Sequence, residues 1–354
     1  MANYDGSAEV SSPDPDMYDI DAHFNSGSSW GSFAFVGGLG WVRGGQHPTQ
    51  AVSVPQEKKM KNVLLRSLSI LFLASGLAGC SLVPTQFTSI DVPGAQSTHA
   101  RGINNRGSSA VASIVGYFVD GEGIVRGFKR DPGTTFVPIN VAGATEVKAF
   151  DINNVGLGNV VGTVLDASGL HAFLWDGTNV TFPGNPPIPN ASGINDDGII
   201  VGFFSDQTGK QHGFTLPPGL GGPINVFNNL STQTLGINNT RRMVGTLQET
   251  NGEFRAFYLS GPDIASAQRI TIQGSSRSDA YGINNADDPA QVRHVGTVTI
   301  NGQDHGFVHT QSRGVETFDF PGAQHTRAFG INDSGEIVGE YVDSNGHTHG
   351  FLGT

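Results

Sequence analysis

The stretch Ala328–Leu352 reads AFGINDSGEIVGEYVDSNGHTHGFL, and its landmarks return throughout the chain from Phe87 onward. Gly-Ile-Asn, or Asp-Ile-Asn once, places isoleucine at 103, 152, 194, 237, 283 and 331, a period of 42 to 49 residues. Each copy then reaches Val-Gly, ending at Gly116, Gly162, Gly202, Gly245, Gly296 and Gly339. A small residue plus Phe follows, at Phe128, Phe173, Phe214, Phe257, Phe307 and Phe351. Between one Phe and the next motif lies a fourth short apolar run: FVPINV, NVTFPG, INVFNN, RITIQG or VETFDF. Four strand-like runs per period of this length are the signature of propeller blades. Helix-pair solenoids share the period, but a chain with 50 glycines and so many β-branched residues does not sustain helices. The expected fold is therefore all-β, a six-bladed β-propeller spanning residues 87–354.

Local chemistry agrees. Asn-Asn or Asn-Asp after the first strand, with Gly at 107, 156, 198 and 335, is hairpin-turn composition. Repeats four and five carry Arg241 and Asp287 at that place, so their turns must differ. Asn301-Gly302 suits a two-residue turn between the second and third strands. The Gly of Val-Gly is expected to make room for the Phe of the next strand, so that six phenylalanines fill the seams between blades. The array opens on FTSIDVPGA (Phe87–Ala95), a near copy of the fourth-strand run ETFDFPGA (Glu316–Ala323), and closes on a third-strand run, HGFL. The N-terminus thus supplies the outer strand that the last blade lacks, which removes two open sheet edges.

The landmarks resemble the extracellular repeats named for a His-Ala-Phe signature, the HAF repeats. His171-Ala172-Phe173 spells it, His212, His305 and His349 precede Gly-Phe, and Arg126 and Arg255 stand in the histidine position. The resemblance implies an extracellular propeller and no particular reaction.

Residues 58–81, KKMKNVLLRSLSILFLASGLAGCS, have the basic start, apolar run and small-residue end of a secretory signal. Leu77-Ala78-Gly79-Cys80 resembles the lipobox of bacterial lipoproteins, and Cys80 is the chain's single cysteine. The resemblance implies a diacylated Cys80, and Ser81 after it implies export to the outer membrane. Residues 1–59 show no strand or helix periodicity, and a signal begins at an N-terminus; translation is expected to start at Met60. The resulting organisation is a leader (1–59), a signal (60–79), a short tether (80–86) and the propeller (87–354). A nucleophile-like Gly27-Ser28-Ser29-Trp30-Gly31 falls in the leader without the strand–helix context it needs.

The formal net charge of −11 and the lack of a basic stripe in the repeats argue against nucleic acid. A lone cysteine excludes disulfides within the chain and thiolate zinc sites. The turns expected on one face gather Asp120, Asp166, Asp206, Glu249 and Asp343 from second hairpins, with His99 and His325 from the blade-to-blade connections. These are the candidate ligand-face residues. Carboxylates there would hold Ca²⁺ or act as an acid–base pair, while the plain alternative is turn capping. The asparagines at 104, 153, 195, 238, 284 and 332 occur in every copy, and sixfold equality points to structure. No catalytic residue, metal cluster or cofactor motif stands out. The departures from the repeat, namely the irregular Pro183–Asn190 and Leu216–Gly222 segments, the long Ala286–His294 loop and the paired Arg241-Arg242, are where function is expected to hide. The expected function is an exported, lipid-anchored, monomeric module that binds a glycan or an envelope protein. The alternative is a propeller-type hydrolase or lyase acting on a carbohydrate or lactone, with or without Ca²⁺.

Overall fold

The computed structural model describes residues 81–105, 112–131, 133, 136–184, 188–216, 223–224, 230–261 and 263–354. The leader, the signal, Cys80 and the stretch 217–222 lie outside the described residues. All described residues belong to the compact unit Ala74–Thr354.

The described residues form antiparallel sheets of four strands, here lettered a to d in hydrogen-bonding order. Four sheets stand separately, and an eight-stranded one is two further blades joined by a single parallel bridge, Phe254 opposite Arg277. The chain is thus a six-bladed propeller. Its a strands are Ser97–Ile103, Glu146–Ile152, Gly193–Ile194, Ser231–Ile237, Ser275–Ile283 and His325–Ile331. The sixth blade takes its d strand from the other end of the repeats: Phe87–Ile90 pairs antiparallel with the last strand, Phe87 opposite Gly353 and Ile90 opposite Gly350. The segment before it is docked as well. Leu82 is buried with Phe351 and Phe87, and Thr85 and Gln86 donate to the Thr354 carbonyl. The expected tether is therefore folded against the domain from Leu82 onward.

The repeated phenylalanines are the core of the seams. Phe128, Phe173, Phe257, Phe307 and Phe351 are fully buried and Phe214 nearly so. The Val-Gly glycines serve them as expected: a Cβ on Gly202, Gly245, Gly296 or Gly339 would sit 2.6–2.8 Å from the Phe ring of the facing strand. A tighter constraint comes from the other side. The same Cβ would run into a strand-a carbonyl, that of His99, Lys148, Gln233, Asp279 or Arg327 in five blades. That carbonyl presses inward because strand a is bulged. Its register against strand b slips between Ala100 and Gly102, Ala149 and Asp151, Thr234 and Gly236, Ala280 and Gly282, and Ala328 and Gly330.

The exceptional turns resolve as their sequences require. Arg241 takes the left-handed position normally given to Gly, at φ 62°. Asn301 and Gly302, at φ 52° and 83°, form the two-residue turn between Ile300 and Gln303. The fifth blade's a–b loop closes over a short 3-10 turn, Pro289–Gln291. In the fourth blade the outer strand is Ala267–Arg269, earlier than the expected RITIQG run. Ile270 of that run is buried, and its N–H donates to Ala256.

Candidate functional site

Six a strands surround one channel, and its two ends are built differently. At the a–b turns the asparagine of Gly-Ile-Asn clasps the next blade. The amide nitrogens of Asn104, Asn153, Asn195, Asn238 and Asn332 donate to the carbonyls of Asn153, Asn195, Asn238, Asn284 and Asn104 at 3.0–3.4 Å. Meanwhile the side-chain oxygens accept from their own turns, as Asn238 does from the N–H groups of Thr240 and Arg242. The following residue completes a second circle. Backbone N–H groups of Asn105, Asn154, Asp196, Asn239, Asn285 and Asp333 each donate to the side-chain oxygen of the counterpart in the next blade, at 2.6–2.9 Å. The structural expectation for the repeated asparagines holds. Above this rim the six isoleucines of the motif form the throat of the channel.

Beyond the throat, on the d–a side, the channel widens into a cavity of about 270 Å³. Its wall comes mainly from the most variable place in Ala-x-Gly-Ile-Asn, which is the residue at the bulge in five blades: Arg101, Phe150, Ser192, Leu235, Tyr281 and Phe329. Asn190, Phe203 and Gln233 add to the upper wall, and Asp151 sits at the floor, shared with the throat. Asn190 is delivered by the end of the proline-rich d–a connection, so that irregular segment contributes to the cavity wall.

Arg101 is the pocket's cation. Its guanidinium stacks 3.7 Å over the Phe329 ring, and Nη2 donates to the Tyr117 hydroxyl at 2.7 Å and Glu340 at 3.3 Å. Its Nε is buried without a partner. Burial would raise the Glu340 carboxyl, but Arg101, His99 and Arg327 hold it down to about 2. His99 Nδ1 lies 2.7 Å and Arg327 Nη1 2.9 Å from that carboxylate. Tyr281 is pushed above the ordinary tyrosine range, mostly by burial, and stays neutral. The Asp151 carboxyl is pushed up to about 7 by burial, against the pull of backbone N–H donors from Ile194 and Ile152, each at 2.9 Å.

The ligand-face candidates do not line this cavity. The b–c turn carboxylates cap their own turns. Asp120 accepts from the N–H groups of Glu122 and Ile124 and pairs with Arg126. Asp166 accepts from Ser168 and meets His171 at 2.9 Å; Asp206 does the same with Thr208 and His212 at 2.8 Å. Asp343 accepts from the N–H groups of Asn345 and His347, with His349 Nε2 at 3.6 Å. Glu249 is tied to Arg269 on its own outer edge. The signature His or Arg thus serves a carboxylate in every blade, and Arg255 donates to the Ser275 carbonyl as well. His99 reaches the pocket indirectly through Glu340, and His325 contacts Asp304, whose N–H donates to it at 3.2 Å. No group of three His, Cys, Asp or Glu side chains arranged for a metal occurs among the described residues. What sequence reading missed is the variable column. Arg101, Phe150, Ser192, Leu235, Tyr281 and Phe329 stand where the neighbouring letters stay nearly constant, and that contrast was the available signal.

No family model matches the chain, and no curated protein matches it in sequence. Among solved structures, a mutant of AofleA from Arthrobotrys oligospora is similar at TM-score 0.48 and 9% identity, over 76% of this chain and 86% of that one. A six-bladed fucose-recognising lectin from Aleuria aurantia is similar at TM-score 0.46 and 11% identity, over 72% and 91%. A streptogramin B lyase is similar at TM-score 0.36 and 13% identity, over 75% and 86%. Likenesses this distant carry nothing about what the chain binds.

Proposed function

We propose that the protein is an exported, lipid-anchored binding module whose ligand is a single sugar-sized ring seated in the channel cavity. The carrying observation is the break in symmetry: the channel wall is made of five residue types at one repeat position, while the landmarks around it are held nearly constant. Aromatic faces from Phe150, Phe203, Tyr281 and Phe329 offer stacking to the apolar face of such a ring. Arg101, Asp151, Asn190, Ser192 and Gln233 offer converging donors and acceptors to its hydroxyls. A glycan end or a free monosaccharide both supply that chemistry. The signal-like segment and the Leu77–Cys80 resemblance support the cellular side of the reading, with a HAF-type extracellular domain following a lipidated Cys80.

An enzyme of the hydrolase or lyase class is favoured less. Asp151 has the near-neutral pKa of a general acid or base, but Arg101 is permanently charged and Tyr281 stays neutral, so among the described residues lining the cavity no second titrating group complements it. Titration calorimetry against a monosaccharide panel, with products assayed in the same samples, tests the reading. Binding without turnover, abolished when Leu235→Trp fills the cavity, is the expected result. Binding that survives Leu235→Trp overturns the assignment of the site, and turnover overturns the assignment of the class.

A further inference from the structure

We infer that Asp151 receives a protonated amine, so that the cavity is built for an amine-bearing ring of sugar size; the inference rests on the cavity being the binding site. Three observations lead there.

The first is that the fold asks for glycine at this position. Five repeats have it, and a Cβ would strike the next blade's strand a. On Gly102 it would lie 2.8 Å from the Asp151 Cα, on Gly193 3.0 Å from the Leu235 carbonyl, and on Gly282 2.7 Å from the Phe329 carbonyl. Asp151 faces the blade whose a strand is shortest, Gly193–Ile194, and there its carboxylate accepts the Ile194 N–H. A side chain is thus admitted at one of six places that otherwise exclude it.

The second is a missing counter-ion. The other enclosed carboxylates around the pocket are paired. Glu340 meets His99, Arg101 and Arg327, Asp279 meets Arg277 at 2.7 Å, and Asp304 meets Arg327 at 2.7 Å. Asp151 has no cationic partner among the described residues, and the charge that bears on it is another carboxylate, Asp196. Buried carboxylates persist as anions when a cation accompanies them. Here the ligand brings it.

The third is the lining. Phe150, Phe203, Tyr281 and Phe329 favour an organic cation through their π faces. Arg101 does not oppose it strongly, because Glu340 neutralises that charge from behind.

A pH dependence follows. The carboxyl titrates near 7 in the empty pocket, so below that value the amine must displace a proton. Affinity then falls about tenfold per pH unit as pH drops from 7. Of the charged and titratable groups facing the cavity, Arg101 stays protonated, Tyr281 stays neutral and Glu340 stays ionised across this window.

Calorimetry on the full chain with 6-amino-6-deoxyglucose, glucosamine and glucose at pH 7.5 tests this directly. At least one amine is expected to bind ten times more tightly than glucose and to weaken tenfold at pH 6. Asp151→Gly restores the residue of the other five repeats; it should melt no lower than the parent and lose the amine preference, as should Asp151→Asn. Equal binding of amine and glucose, or no amine binding at all, overturns the inference. A lower melting temperature in Asp151→Gly with amine affinity unchanged also overturns it, leaving Asp151 as an anchor for Ile194. Glucose binding that Leu235→Trp removes, with no amine bound more tightly than glucose, would sink the amine and keep the cavity. Amine binding indifferent to Leu235→Trp would sink the cavity.

Discussion

The two ends of the channel use the same six strands to opposite purposes. At the a–b rim the blades present almost the same residues: five motif asparagines hand an amide hydrogen bond to the next blade, Asn332 to Asn104 among them, and the backbone N–H groups of the residues that follow close a full circle from Asn105 round to Asp333 and back. One bulge further along, the same strands present Arg, Phe, Ser, Leu, Tyr and Phe. Where a job is identical in every blade, one residue type serves. Where a single asymmetric object must fit on the axis, no two adjacent blades carry the same residue. The rim is scaffold, and the cavity is the site proposed above.

That division can be broken deliberately. The largest effect belongs to ring closure. Removing residues 82–90 strips the sixth blade of its outer strand and the Leu82 contact, exposing sheet edges; aggregation or a melting temperature lower by more than ~10 °C is expected, read by scattering and calorimetry. A variant that stays monomeric and melts normally would show that the blade is completed otherwise. Next comes the seam: Phe257→Ala or Phe307→Ala should cost about 3–5 kcal/mol by chemical denaturation, since each ring is fully buried against a glycine. Asn238→Ala at the rim removes the bond to Asn284 and leaves the N–H groups of Thr240 and Arg242 without their acceptor. A loss of about 1–3 kcal/mol is expected, with binding in the cavity unchanged. Asp120→Asn and Asp343→Asn, on turns that cap themselves, should leave binding unchanged and move the melting temperature least. If either abolished binding, the distinction drawn between turn and cavity would fail.

A pH titration sharpens the comparison further, because the seam between the fourth and fifth blades hides its own titrating pair. His294 and His309 meet Nδ1 to Nδ1 at 3.0 Å, and both rings pack at a tilt against Tyr258. One Nδ1 must donate, and the unpartnered His294 Nε2 is least costly as a bare lone pair, so His294 is the donor. Burial drives both below the usual histidine range, His309 to about 4, with His309 and Arg242 adding to the effect on His294. Groups depressed in the folded state bind protons more readily when unfolded. Their stabilisation is therefore complete above about pH 6.5 and drains away as pH falls toward 4. His309→Gln should flatten that slope in acid denaturation, and an unchanged slope would assign the sensitivity elsewhere.

Much of the architecture was written in plain repeats. Gly-Ile-Asn fixed the blade count, the likeness of Phe87–Ala95 to Glu316–Ala323 named the closing strand, and Asn301-Gly302 gave its turn. The site was harder. Asp120, Asp166, Asp206 and Asp343 stand out in the sequence because they recur, and recurrence is the mark of a structural duty. Whether residue 101 faces the axis depends on a bulge, and the bulge arises from a register slip against strand b that no local composition encodes. Asp151 was visible as the single departure from Gly-Ile-Asn; its meaning required the space that Gly102 and Gly282 lack.

The seam between the last blade and the first is sealed twice, by the Phe87–Ile90 strand outside and the asparagine circle inside. A linear array of repeats frays from its ends, so its amides exchange with solvent fastest there. In this ring neither terminal blade has a free flank at the hub or at the outer edge. Deuterium uptake in the sixth blade should then be no faster than in the third, and protection should vanish from all blades together, as in one cooperative unit.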